Sequence, residues 1–124
     1  MSRILVADDN ALQLELRKQL LEIAGYQVEI ARGTLETVHC LETVAVDLVI
    51  MDLRFPNAAG APDAREGMAL IRRIRDLGCR APVIVLSGWP EDLHGQPEEH
   101  LVSRILPKPA GTRELLSAIR DLLA

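Results

Sequence analysis

Five short apolar runs punctuate the chain, and each closes on polar or turn-forming residues. The central one is Asp47-Leu48-Val49-Ile50-Met51-Asp52, a continuous aliphatic stretch between two acids. Such a run reads as a parallel strand buried on both faces. Arg3–Ala7 and Pro82–Leu86 have the same character, whereas residues 26–31 alternate, as suits a strand nearer a sheet edge. Arg104-Ile105-Leu106 supplies a brief fifth strand.

Between these runs the period changes to that of a helix. Asn10 and Gln13 form a capping-box signal before Leu12, Leu16, Leu20 and Ile23, which recur at helical spacing, with Gly25 as the stop. Thr34 is placed as the cap of a second helix carrying Leu35, Val38, Leu41 and Val44. Asp63 and Glu66 open a third, whose inner face is Leu70, Ile71, Ile74 and Leu77, closed by Gly78. Arg72, Arg73 and Arg75 are read as its solvated side. Thr112 is placed as the cap of a last helix with Leu115, Leu116, Ile119, Leu122 and Leu123 on one side. Only residues 89–103 resist this scheme. Pro90, Gly95 and Pro97 leave room for no more than a short or mobile helix over 91–101. Alternating strands and helices predict an α/β fold with a parallel sheet covered on both faces.

Composition narrows the choice of partner. A length of 124 residues suits one domain over 1–124, and 48% hydrophobic with 26% charged residues suits a globular core. A formal charge of −4 gives no electrostatic reason to expect direct nucleic-acid or membrane binding. No apolar run approaches a membrane span, and the start of the chain lacks a signal-peptide pattern. Cys40 and Cys79 have neither metal-site nor disulfide-framework spacing, Cys40 reads as a core filler, and a cytoplasmic location is expected. With Tyr26, Phe55 and Trp89 the only aromatics, the core must be largely aliphatic. His39, His94 and His100 show no mutual metal spacing.

The chemistry collects at strand ends. Asp8-Asp9, Asp52, Ser87 and Lys108 each follow a predicted strand, and in a doubly wound sheet those ends meet along one edge. Each has a plain structural reading by itself: acids at a helix N-terminus, a turn residue, a loop hydroxyl, a solvated lysine. Together they would require four coincidences. Crowded carboxylates call for a cation, and oxygen-only donors in a small site favour Mg²⁺. A lysine facing them offers a point charge, and a serine hydroxyl a donor, to an incoming phosphoryl group.

This set resembles the receiver domain of two-component response regulators. The resemblance rests on Asp8-Asp9, Asp52 with Pro56 after it, Ser87, and Lys108-Pro109, in that order over essentially the whole chain. It implies a flavodoxin-like doubly wound (βα)5 fold with strand order 2-1-3-4-5. It also implies that Asp52 accepts a phosphoryl group from a histidine kinase or phosphotransfer protein, in a signalling switch rather than an enzyme. Mg²⁺ would be held by Asp9, Asp52 and the backbone carbonyl of Arg54, with Asp8 acting through water. Ser87 and Lys108 would contact the phosphoryl group, and the Lys108-Pro109 bond would be cis. The downstream protein target is left unnamed, and the chain either acts alone or is part of a longer protein.

The pattern departs from the family in three places. Ile105 stands where an aromatic is usual, residues 89–103 interrupt the fourth helix, and the loop between Pro56 and Gly67 is longer than most. That loop reads as a mobile flap or a tolerated insertion. Ser87-Gly88-Trp89 with Leu106-Pro107-Lys108-Pro109 looks like a subgroup having a Ser/Thr-Gly-aromatic loop and a short fourth helix. Arg54 and Trp89 flank the acceptor and are expected to stack, screening it from water. Two other functions compete. One is a phosphorylation-independent interaction module. The other is an FMN-binding flavodoxin-like domain, which would need a phosphate-cradling loop where Asp8-Asp9-Asn10 stands.

Overall fold

The computed structural model describes residues 1–124. Strands β1 (Arg3–Ala7), β2 (Gln27–Ala31) and β3 (Leu48–Asp52) alternate with helices α1 (Ala11–Ile23) and α2 (Thr34–Thr43). A small antiparallel pair, β4 (Phe55–Pro56) with β5 (Pro62–Asp63), precedes α3 (Ala64–Asp76). Then come β6 (Val83–Ser87), β7 (Arg104–Pro107) and α4 (Thr112–Leu123). The main sheet is parallel, in the order β2-β1-β3-β6-β7. With the β4–β5 pair set aside, this is the expected 2-1-3-4-5 order, with the Asp52 strand at the centre.

Strand alternation sorts the core into two layers. Ile4, Val6, Leu48, Ile50, Ile84, Leu86 and Leu106 pack with α1 and α4. Leu5, Ala7, Val49, Met51, Val83 and Val85 pack with α3 and the hydrophobic side chains of α2. Phe55 is the largest fully buried side chain of an otherwise aliphatic core. Cys40 packs against the second layer, and burial pushes its thiol up from the usual range, consistent with a filler role.

Several helix details differ from the sequence reading. The buried residues of α1 are Leu14 and Leu21, while Leu12, Leu16 and Ile23 lie exposed, so the helix is turned away from the face expected. Leu35 of α2 is exposed as well, with Val38 and Leu41 packed inward as expected. Gly33 and Gly111, not Thr34 and Thr112, are the N-caps of α2 and α4, and each threonine opens its helix instead. Asn10 does cap α1, accepting from the Gln13 N–H at 3.1 Å, and Asp63 caps α3, accepting from the Arg65 N–H at 2.9 Å. Gly25 and Gly78 leave α1 and α3 at φ of 101° and 83°, the left-handed conformation that glycine adopts without a Cβ penalty.

The connection after β6 holds no α-helix. Two 3-10 turns, Pro90–Asp92 and Pro97–Leu101, replace it, each beginning at a proline. The second is anchored by the arginine side of α3. Arg75 donates from Nε and Nη2 to the Leu101 carbonyl, and from Nη1 to those of Cys79 and Ala81. Arg72 pairs with buried Glu98 at 2.9 Å. Arg72 and Arg73 are exposed, as expected, and only Arg75 is drawn inward from the solvated side. The loop after β4 is a closed hairpin rather than a flap. Asn57 organises it, its Oδ1 accepting from the Ala59 and Ala61 N–H groups and its Nδ2 donating to Asp63.

Gly67 has a packing duty. A Cβ there would lie 2.0 Å from the Leu53 carbonyl oxygen, so α3 can approach the residues after β3 only without a side chain. Gly67→Ala must displace backbone next to Asp52. It is expected to destabilise the fold by about 1–3 kcal/mol, the range for overpacking, or more because backbone yields less than side chain. Urea denaturation of the variant against wild type measures this.

Candidate functional site

The alternation that builds the core also aims the polar residues. Asp52 continues the Leu48, Ile50 parity, Asp8 that of Ile4 and Val6, and Lys108 that of Leu106, so all three lean toward the α1 and α4 layer. One oxygen each from Asp8, Asp9 and Asp52 lie within 4.8 Å of one another. Lys108 reaches across β6 to this cluster, its Nζ 2.9 Å from Asp52 Oδ2 and 3.3 Å from Asp8 Oδ2. The Lys108-Pro109 peptide is cis, as expected.

Asp8 is fully buried and Asp9 exposed. Burial alone would raise the Asp8 carboxyl, but three donors outweigh it and hold the group below the usual carboxylate range. These are the Asn10 N–H at 2.9 Å, Arg17 Nη1 at 2.6 Å, and Lys108. Asp9 goes the other way, raised by its partial burial and by the charges of Asp8 and Asp52. Asp52 Oδ1 accepts the Leu53 N–H at 2.8 Å, which leaves Oδ2 toward Lys108.

A cleft of ≈ 800 Å³ opens over the cluster, walled by Leu16, Arg54, Trp89 and Pro109 among others. Arg54 lies 3.7 Å from the centroid of the Trp89 ring, the stacking expected from sequence. Its Nε also donates to Asp92 at 2.8 Å, which the sequence did not suggest. Ser87 stands somewhat apart. It is buried at the end of β6 beside the Asp52 strand, where its Oγ accepts the Trp89 N–H at 3.0 Å. Gly88 and Trp89 form the cleft wall there.

Arg17 is the residue that sequence reasoning missed. It lies three residues after Leu14 and four before Leu21, on the buried stripe of α1, and its side chain is 12% exposed. A charged residue at a core position of a helix was the available signal. His94 meets Glu99 at 2.7 Å on an exposed segment, away from the cleft.

The response regulator receiver domain family matches residues 4–120. The chain belongs to this family. Among curated proteins, it is 32% identical over 124 residues to the CpxR homolog, a transcriptional regulatory protein of Haemophilus influenzae, covering 99% of this chain and 51% of that protein. It is 37% identical over 94 residues to the virulence transcriptional regulatory protein PhoP of Salmonella typhimurium, covering 73% of this chain and 39% of that one. This receiver domain thus spans about half or less of the length of these curated relatives. Among solved structures, the response regulator TrrA of Thermotoga maritima in complex with Mg²⁺-BeF superposes with a TM-score of 0.84. The two share 26% identity over 99% of this chain and all of that one. A response regulator receiver domain from Clostridium thermocellum gives a TM-score of 0.84 at 28% identity, covering 99% of this chain and 94% of that one. A role as a two-component signalling switch follows from the family. No helix is long and apolar enough to cross a membrane.

The two acids of the β1 end carry opposite loads. Asp8→Asn removes the partner of Arg17 and Lys108 inside the fold, and is expected to cost about 3–5 kcal/mol, as for a broken buried ion pair. Asp9→Asn relieves repulsion at an exposed position and should stabilise by no more than about 1 kcal/mol, decreasing with added salt. Since the Asp9 carboxyl is raised, that gain is present at neutral pH and disappears as acid protonates the wild-type group. Denaturation in chelator at neutral and acidic pH checks both signs.

Proposed function

We propose that this receiver domain, comprising residues 1–124, is a Mg²⁺-dependent phosphoacceptor and that Asp52 is the group modified. The observation that carries the reading is the placement of Lys108 Nζ 2.9 Å from Asp52 Oδ2, with two further carboxylates converging on the same point. The donor set is all oxygen, which suits Mg²⁺. Asp9, Asp52 and the Arg54 backbone carbonyl would hold the ion, with Asp8 acting through water. When bound, the ion neutralises charge on the transferring phosphoryl group and lets two anions approach.

In this reading an oxygen of the ionised Asp52 attacks the phosphorus of a phosphohistidine on a sensor kinase or phosphotransfer protein. The P–O bond to Asp52 forms as the P–N bond breaks, and the histidine nitrogen keeps the electron pair. Lys108 follows the phosphoryl oxygens as a point charge. Ser87 donates its hydroxyl hydrogen to one of them, since its oxygen already accepts from the Trp89 N–H. The side chain of Arg54, held between Trp89 and Asp92, forms a wall that slows attack by water on the acyl phosphate. Phosphorylation then changes contacts with a downstream protein, in the cytoplasm, without direct binding of nucleic acid or membrane by this domain.

A second reading, a phosphorylation-independent interaction module, is favoured by Ile105. It is partly buried, packed against the core in place of the usual aromatic, and lacks a ring to swing outward. Intact mass after incubation with acetyl phosphate separates the two. The phosphoacceptor gains one phosphoryl group with Mg²⁺, none in chelator and none in Asp52→Asn. No gain in folded protein that binds Mg²⁺ moves the interaction module ahead. Once the label is on, Trp89→Ala is expected to shorten its lifetime severalfold, and an unchanged decay rate removes the screening role.

A further inference from the structure

The α1 helix spends one of its few inward positions on an arginine. Arg17 shares a face with Leu14 and Leu21, and helical side chains lean toward the N-terminus, which directs its guanidinium back to the β1 end. There Nη1 meets Asp8 Oδ2 at 2.6 Å. Lys108 touches the same oxygen at 3.3 Å but is closer to Asp52. The two cations therefore differ. Lys108 is shared between two carboxylates, whereas Arg17 has its one ion pair with Asp8, where both side chains are shielded from solvent.

We propose that Arg17 is a positioning residue that acts as a tethered counter-ion in the cleft, weakening its Mg²⁺ affinity and releasing Lys108 from Asp8. The proposal rests on the reading of the cleft as a Mg²⁺-dependent phosphoacceptor site. With the Arg54–Asp92 pair counted as neutral, three carboxylates face two cations, so the cluster carries one uncompensated negative charge where it would carry two without Arg17. A divalent ion entering such a shielded site is repelled by the fixed guanidinium. Arg17 also occupies one acceptor position on Asp8 Oδ2 while the Asn10 N–H occupies one on Oδ1, which leaves Asp8 fewer positions to offer a metal ion. When Lys108 moves onto a phosphoryl group, Arg17 stays as the direct ion-pair partner of the buried Asp8. Arg17 thus separates two tasks that Lys108 would otherwise perform alone.

The test is a Mg²⁺ titration followed by the fluorescence of Trp89, the chain's only tryptophan and part of the cleft wall. Wild type, Arg17→Gln and Arg17→Lys are compared at low salt. Arg17→Gln is expected to bind Mg²⁺ tighter by roughly three- to thirtyfold, for loss of one partly shielded charge a few ångströms from the ion. Arg17→Lys, which keeps the charge, should return the affinity toward wild type. At saturating Mg²⁺, Arg17→Gln should also take up phosphoryl from acetyl phosphate more slowly, because Lys108 must then serve Asp8. Tighter metal binding with slower transfer is a split that simple loss of packing does not produce. If Arg17→Gln is unfolded without metal, the same effect is read from stability: Mg²⁺ should refold it and raise its Tm more than that of wild type. A folded Arg17→Gln with unchanged or weaker Mg²⁺ binding overturns the proposal, as does a variant that stays unfolded at saturating Mg²⁺. Failure of wild type to bind Mg²⁺ at all overturns the phosphoacceptor reading and this proposal together.

Discussion

A carboxylate buried at the end of a strand must be compensated, and much of this molecule is arranged around that requirement at Asp8. An ionised group removed from water loses several kcal/mol of solvation even after the protein relaxes, so donors must converge on it or it must take a proton. Here they come from three directions. The Asn10 N–H arrives from the turn that starts α1, Arg17 from within that helix, and Lys108 from the far end of the chain. Satisfying Asp8 therefore fixes the rotation of α1 about its axis, and also where the chain after β7 must pass. Lys108, in reaching Asp8, also lies against Asp52. The site is in this sense a consequence of how the fold solvates one acid.

The strands and their ends were legible because a doubly covered parallel strand has a simple signature. It is a short aliphatic run that must stop where polar groups begin, and Asp8, Asp52, Ser87 and Lys108 mark those stops. Helix rotation was less legible. Two apolar stripes compete on α1. Leu12, Leu16, Leu20 and Ile23 outnumber Leu14 and Leu21, so a count of apolar residues selects the wrong face. The structure follows the demand of a buried charge instead: Arg17 belongs to the second stripe, and turning the helix to bury the first would take it from Asp8. The misjudged face and the missed site residue are one error. Weighing a polar residue by what it could satisfy, rather than as a solvated position, would have corrected both.

The same lesson applies to α3. Its arginines look like a water-facing stripe, yet Arg75 serves four hydrogen bonds to backbone carbonyls and Arg72 a buried glutamate. Their partners flank β6: Cys79 and Ala81 lie before it, and Glu98 and Leu101 lie after it, where 3-10 turns stand in place of a helix. Pro90 and Pro97 remove donors and Gly95 adds freedom, so a continuous helix is excluded locally. The arginines supply from outside what the segment's own backbone does not. Nothing in the local sequence of residues 89–103 could reveal this, because the compensating residues lie some twenty-five positions earlier.

That substitution changes how a signal could leave the cleft. Ile105 sits in the same packed layer as Leu93, Leu101 and Val102, with no ring to exchange between buried and exposed positions. The remaining contact between cleft and connection is polar. Arg54 forms part of the cleft wall, stacks on Trp89, and holds Asp92 of the first 3-10 turn at 2.8 Å. A phosphoryl group on Asp52 would add negative charge beside that guanidinium, and the Arg54–Asp92 pair would be the first contact of the turn to feel it. Contact alone does not establish coupling, which also requires the receiving element to have two arrangements. In the 3-10 segment the side chain nearest the cleft is Asp92 of the first turn. Buried Leu93 and the α3 arginines fix its inner side, while its cleft side is held by the Arg54–Asp92 pair, so that pair is where charge in the cleft reaches the segment.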